Sequence, residues 1–156
     1  MKRISMCFLA SFFFLSLGFG NSITILVNQK TSNAEGIFES SRLFEDGVIN
    51  YFFDSGFIVT NEPVCLEKDF FKAEQIALDE AQRGFLEFLL VFHLYLDAEN
   101  GNLTEAEWDL IRVETGKKIA SGKSLAPEVK TKTETEKIIK QFAEQNVREV
   151  LKYVRK

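Results

Sequence analysis

The sequence predicts an α+β fold in the order β-α-β-α-β-β-β-α: a mixed sheet of about five strands packed with three helices. Three observations carry this. A β-branched run and a Phe-rich helical stripe alternate in the amino-terminal half. One long run, Gly84 to Gly101, is apolar at every even position from Leu86 to Leu96. A final amphipathic stretch closes the chain. Strand–helix–strand followed by consecutive strands belongs to layered domains that mix parallel and antiparallel pairing.

The elements follow in order. "SITILV" (Ser22–Val27) is a buried-strand candidate. Ser32 with Glu35 three residues on forms a capping box, and the helix behind it carries Phe38, Phe44, Val48, Tyr51 and Phe52 on one stripe. Gly56 suits the left-handed position that ends it. "FIVTNEP" (Phe57–Pro63) is a second strand, closed by a proline that has no N–H for a ladder. A right-handed crossover then makes the two strands parallel. A second helix runs from about Asp69 to Arg83, with Phe70, Ala73, Ala77 and Ala81 on one face, Ile76 beside it and Gly84 as its stop.

In the next strand the even positions Leu86, Phe88, Leu90, Phe92, Leu94 and Leu96 are all apolar. The odd ones (Phe85, Glu87, Leu89, Val91, His93, Tyr95, Asp97) are mixed. Alternation of this kind is a strand with one fully buried face, here the central one. A membrane span would need a longer run without Glu87 and His93. The strand after it alternates Ala106, Trp108, Leu110 with Glu105, Glu107, Asp109. A two-residue turn at Asn100-Gly101 would set Leu94 against Glu107 on the core face. An odd-length loop instead puts Leu94 with Trp108, and His93 with Glu107 or Asp109, so an odd loop with a glycine bulge is expected. "ETGK" turns into "KIASGKSLA", and "PEVKTKT" links to a last helix. Thr133 and Glu136 cap it, and Ile139, Phe142, Ala143, Val147, Val150 and Val154 form its stripe.

The first twenty residues differ from the rest. Lys2 and Arg3 precede an apolar run from Ile4 to Phe19, and Gly18 and Gly20 stand at the −3 and −1 positions of a cut before Asn21. That pattern is a secretory signal peptide over 1–20, followed by one domain over 21–156. An uncleaved anchor is the rival, though the run is short for a span. Cys7 sits before most of the apolar run, not at its end, so it is no lipidation site. Without Lys2 and Arg3 the 19 basic residues become 17 against 23 acidic, a formal charge of −6, which argues against nucleic acid as partner. Cys65 remains as the single cysteine, so no internal disulfide forms, and the periplasm is the expected compartment.

Candidate chemistry is sparse. His93 beside Glu107 or Asp109 has the makings of an oriented general base, but no nucleophile completes a constellation, and a cross-strand His–carboxylate pair is the simpler reading. Cys65 has no second histidine to activate it and reads as a packed or free thiol. One histidine and one cysteine make no usual zinc site. "GKS" (Gly122-Lys123-Ser124) lacks the phosphate-loop glycine, since Lys117 occupies its place. "DAENG" (Asp97–Gly101) lacks the terminal glutamate of a calcium loop. No cofactor or metal is expected. The mixed strand face, Val91, His93, Tyr95, Glu107 and Asp109, is instead a candidate partner-binding surface.

Three phrases resemble a known group: "FFDSGFIVTNE" (Phe52–Glu62), "ALDEAQRGFLEFLLVFHLYL" (Ala77–Leu96) and "WDLIRVETGKKIASGKS" (Trp108–Ser124). They are similar to the α/β domain shared by the TolB amino-terminal domain, the curli secretion protein CsgG, the flagellar protein FlgT and the penicillin-binding-protein activator LpoB, over about residues 22–156. The resemblance implies a non-catalytic envelope protein that binds other envelope proteins as adaptor, assembly factor or activator. The chain departs from lipid-anchored relatives in having no lipobox, so membrane contact is expected only through an uncleaved signal segment. The alternative expectation is a small-ligand or lipid carrier, with its pocket between the Phe-rich first helix and the sheet.

Overall fold

The computed structural model describes residues 21–31, 36–128 and 134–155. The elements are β1 (Ser22–Lys30), α1 (Glu39–Asp54), β2 (Ile58–Asn61), the two-residue β3 (Cys65–Leu66), a 3-10 turn (Glu67–Asp69), α2 (Phe70–Arg83), β4 (Phe88–Leu96), β5 (Leu103–Arg112), β6 (Lys117–Leu125) and α3 (Thr135–Val154). The sheet order is β2-β1-β4-β5-β6, with β3 also on β1. β1 is parallel to β2, β3 and β4, while β4–β5 and β5–β6 are antiparallel. The fold class is therefore the expected one, with a short extra strand where the sequence suggests only a loop. The expected signal peptide over residues 1–20, the expected Ser32/Glu35 capping box and Thr133 lie outside the described residues.

β4 is central and buried on both faces. Phe88, Leu90, Phe92, Leu94 and Leu96 point into the larger core beneath α1 and α3, and Leu89 and Val91 into a smaller one beneath α2. Parity settles its pairing with β5: Phe92 lies opposite Trp108, His93 opposite Glu107 and Leu94 opposite Ala106. The expected side of each residue is thus observed. The irregularity differs from the expectation. The register shifts between Tyr95 and Leu96, so Leu96 meets Leu103 and Thr104 is the extra residue, anchored by its hydroxyl on the Tyr95 carbonyl at 2.9 Å. The bulge lies in the returning strand, not at Gly101. In the turn itself, the Asp97 carboxylate accepts the Glu99 and Asn100 N–H groups at 2.8 and 3.2 Å.

α1 begins at Glu39, and its cap residue, Phe38, has no capping side chain. A buried glutamine on β1 takes over. Gln29 Oε1 accepts the Phe38 N–H at 2.8 Å and the Ser41 hydroxyl at 2.9 Å, and its amide donates to the Gly36 carbonyl at 3.0 Å. Both its oxygen and its nitrogen are bonded to α1 or to the segment that leads into it, which is why it tolerates full burial.

The ends of α1 and α2 share one motif with different residues. After α1, Gly56 (φ +84°) donates to Phe53 and Phe57 to Phe52, at 2.9 and 3.1 Å. After α2, Phe85 donates to Gln82 and Leu86 to Ala81, at 3.1 and 2.9 Å. Both are Schellman closures. Gly84 is therefore not the left-handed stop that its position suggests. It keeps a helical φ of −79°, and Phe85 takes the left-handed position at φ +54°.

The expected stripes are the observed cores. Phe44, Val48 and Phe52 of α1 and Ile139, Phe142, Ala143, Val147, Val150 and Val154 of α3 are buried in one cluster. Phe44 meets Phe92 edge-on with ring centroids 5.0 Å apart and Phe142 at 5.9 Å. Such ring pairs contribute about 0.5–1.5 kcal/mol beyond area burial. They also fill the space between the first helix and the sheet, where the carrier alternative puts its pocket. On the opposite face, Ala77 and Ala81 bring α2 close against β1 and β4, while Ile76 stays 45% exposed. Gly56→Ala is expected to cost about 1–2 kcal/mol, the penalty of a Cβ in the left-handed region. A urea unfolding midpoint unchanged from wild type would show that the closure tolerates a side chain.

Candidate functional site

On the α2 side of the sheet, apolar residues give way to polar ones toward the carboxyl ends of the parallel strands. Leu89 and Val91 lie under α2; His93 and Tyr95 follow on the same face of β4. The His93 ring packs edge-on against Phe70, the first residue of α2, at 4.8 Å between centroids. Beyond it the helix ends and the face opens. Glu105, Glu107 and Asp109 of β5 stand there half-buried, beside Lys118, Ser121 and Lys123 of the edge strand β6.

Two hydrogen-bonded groups occupy this region. The inner one centres on Asn28, fully buried on β1. Its amide nitrogen donates to Glu67 Oε2 at 2.8 Å and to His93 Nδ1 at 3.1 Å, and its oxygen accepts the Cys65 thiol at 3.9 Å. His93 Nδ1 is thus an acceptor, which leaves the ring neutral with its proton on Nε2. The outer group runs along the surface. The Tyr95 hydroxyl donates to Glu107 at 2.8 Å, Lys123 bridges Glu105 and Glu107 at 2.7 and 3.3 Å, and Lys118 pairs with Asp109 at 2.7 Å. Lys30 joins the two, 3.7 Å from Glu67 and 5.2 Å above the Tyr95 ring.

The structure thus sorts the five expected surface residues. His93, Tyr95, Glu107 and Asp109 share one half-open face. Val91 is 1% exposed beneath α2 and has no surface to offer a partner. His93 faces Glu107 across the strands as expected, yet its ring bonds to the Asn28 amide instead of a carboxylate. The expected His–carboxylate pair is replaced because Tyr95 takes Glu107. Sequence reasoning stops the first strand at Val27 and so misses Asn28, Lys30 and Gln29. The signal was the period of two, which continues through Leu26, Asn28 and Lys30 on one face.

The electrostatics run against nucleophilic chemistry. Burial pushes the Cys65 thiol up to about 11. Burial, then the Lys30 charge, pushes His93 below its usual value, and the carboxylates of Asp109, Glu67 and Glu107 offset this only in part. A thiolate–imidazolium pair needs both shifts reversed. The hydrogen bond from Tyr95 lowers the Glu107 carboxyl and raises the Tyr95 phenol, locking that pair. Among the described residues no group of three or more His, Cys, Asp and Glu side chains is placed to hold a metal ion, and no helix is long and apolar enough to cross a membrane. "GKS" lies in β6, where Gly122 sits beneath Trp108: a Cβ there would stand 2.5 Å from the indole. An open cleft of about 540 Å³ between β3 and α2 is lined by Ile37, Pro63, Val64, Cys65, Leu66 and Ile76.

Two measurements follow. Because the folded chain holds His93 below 6.5, the unfolded chain takes up the proton first. The stability that the neutral ring contributes is complete above about pH 7.5 and is lost as pH falls below about 6.5 towards the lower folded-state value. The thermal midpoint of wild type should therefore fall relative to that of His93→Gln as pH is lowered from about 6.5; parallel curves there would place the ring in water. A thiol pKa of about 11 in place of 9.0 means about 100-fold less thiolate at neutral pH. Iodoacetamide should alkylate Cys65 about tenfold more slowly in the folded than in the unfolded chain, because the greater nucleophilicity of a more basic thiolate offsets part of the loss, and an equal rate would show an unperturbed thiol.

Solved structures share this fold at low identity. PelC from Paraburkholderia phytofirmans, a dodecamer, is 14% identical, with 81% of this chain and 84% of that one covered, at a TM-score of 0.51. A lipoprotein from Neisseria meningitidis is 14% identical, covering 81% and 96%, at 0.50. The LpoB carboxy-terminal domain from Escherichia coli is 15% identical, covering 69% and 84%, at 0.45. LpoB is one of the four groups that the sequence resembles; likeness to TolB, CsgG and FlgT is not shown. No curated protein matches the sequence. A family model described as "Uncharacterised protein" matches residues 22–155, and the chain belongs to that family.

Proposed function

We propose that this chain is a non-catalytic protein-binding domain of the cell envelope, exported by residues 1–20 to the periplasm, where 21–156 act as adaptor, assembly factor or activator. The observation that carries the reading is the half of the sheet that α2 leaves uncovered. It presents Tyr95, Glu105, Glu107, Asp109, Lys118 and Lys123 as paired charges around an aromatic ring, flanked by the exposed edge of β6. A flat field of alternating charge suits a protein partner, giving specificity and register. An edge strand adds unpaired backbone groups for strand addition.

Catalysis lacks support at this face. Its histidine is neutral and committed to Asn28, and its neighbouring thiol is suppressed. Two structural neighbours are by name a dodecamer and a lipoprotein, which accords with an envelope assembly role. The client, whether an envelope enzyme, a secretion pore or another machine, is to be identified by trapping it.

A photo-crosslinking residue at Lys123, on the open face, should capture one dominant envelope protein in the native host. The same residue at Asp79, on the exposed side of α2, should not. Tyr95→Ala with Glu107→Ala should reduce the adduct about tenfold. That corresponds to a loss of about 1.4 kcal/mol. No adduct at Lys123, or one indifferent to the double variant, would sink the assignment of this face.

A further inference from the structure

The starts of three parallel strands define one pole of the molecule. Ser22 pairs with Ile58, and Ile23 with Phe88, so β2, β1 and β4 begin side by side. The Ile58 N–H donates to the Asn21 carbonyl and the Glu87 N–H to Ser22 Oγ, both at 3.0 Å. The Asn21 amide donates to the Val154 carbonyl at 3.4 Å, and Arg155 to the Ser55 carbonyl at 3.1 Å. The carboxyl ends of all three helices therefore gather around Asn21.

Three large apolar side chains stand out from this pole: Phe85 at 89% exposure, Phe53 at 69% and Ile58 at 58%. Phe85 is the most telling. It holds the left-handed backbone position that glycine fills after α1, and its ring is almost wholly in water. A glycine would relieve the backbone, and a polar side chain would suit the solvent. Nothing inside the fold rewards a phenyl ring there, so its use lies outside the fold. The charges beside the patch are mostly paired: Arg83 with Asp79 and Glu80, and Arg112 with Glu87, while Arg155 donates to the Ser55 carbonyl.

The chain itself indicates what covers the pole. The apolar run from Ile4 to Phe19 joins the domain at Asn21, in the middle of these side chains. Retained as the uncleaved anchor that rivals cleavage, this run holds the pole at the bilayer surface before any other part of the domain, and the inference rests on that retention. We infer that the folded domain rests this pole on a phospholipid surface. Phe53, Ile58 and Phe85 seat at the boundary of headgroups and acyl chains, and Arg155, whose side chain donates only to a neutral carbonyl, reaches the headgroup phosphates. The inference does not rest on the protein-docking reading, whose face lies toward the opposite, carboxyl ends of the same strands.

The test uses the full-length chain with Cys7→Ser and Cys65→Ser, and a single environment-sensitive fluorophore on Phe85→Cys, Phe53→Cys or, at the opposite pole, Asn100→Cys. Each protein is mixed with vesicles of phosphatidylethanolamine and phosphatidylglycerol and floated. Labels at 85 and 53 should shift to the blue and be quenched by brominated acyl chains several-fold more than the label at 100. Equal responses at all three positions, silent labels at 85 and 53 on floating protein, or no flotation would each overturn the inference. As a folding control, Phe85→Gly should keep or raise the thermal midpoint while weakening quenching of the label at 53. A lower midpoint would make the ring structural and also overturn it.

Discussion

The pairing of Phe92 with Trp108 is the constraint on which the other contacts depend. It decides which face of β4 belongs to α1 and α3 and which to α2. A slip of one residue would carry Glu105, Glu107 and Asp109 into the larger core and Trp108 into water. Burying three carboxylates without partners would cost more than the domain's whole stability of about 5–15 kcal/mol. The bulge at Thr104 follows from this. The six residues between Leu96 and Leu103 close the connection only if one strand takes an extra residue, and the core parity beyond Tyr95 does not yield.

From that register the asymmetry of the molecule follows. α1 and α3 together cover one face of the sheet, while a single helix covers the other. The uncovered part faces outward in the folded chain, and there β5 and β6 carry opposite charges on adjacent strands. Such cross-strand pairs contribute little to stability in water. Their presence protects the surface from non-specific association while leaving it able to recognise a complementary one.

Periodic features were legible in the sequence because burial repeats. The stripes of α1 and α3, the two faces of β4 and the side of each β5 residue follow from spacings of two and three to four. Non-periodic features were not. The cap of α1 comes from Gln29, nine residues before Phe38, across a connection that no local pattern marks. The partner of His93 is Asn28, 65 residues away. Local chemistry offered Ser32 with Glu35 for the cap and a cross-strand carboxylate for the ring. In both cases a buried amide on β1 does the task instead, because an amide both donates and accepts and carries no charge to desolvate. Val91 shows the reverse error: alternation placed it correctly on the mixed face, but no sequence signal says how far α2 extends over that face.

Asn28 and Gln29 also explain why the two poles of the sheet differ. They are consecutive, both fully buried, and point to opposite faces of β1. One ties the strand to α1; the other ties it to the 3-10 turn, Cys65 and His93. The carboxyl ends of the parallel strands are thus fastened by directional bonds on both sides, which fixes the positions of His93 and its neighbours. The opposite pole is closed mainly by backbone bonds at helix ends, and there large apolar side chains remain in solvent. On the docking reading proposed above, directional polar bonds specify geometry where a partner is matched in detail. Non-directional apolar surface suffices where the neighbour is a fluid lipid surface, which asks for depth and not for register.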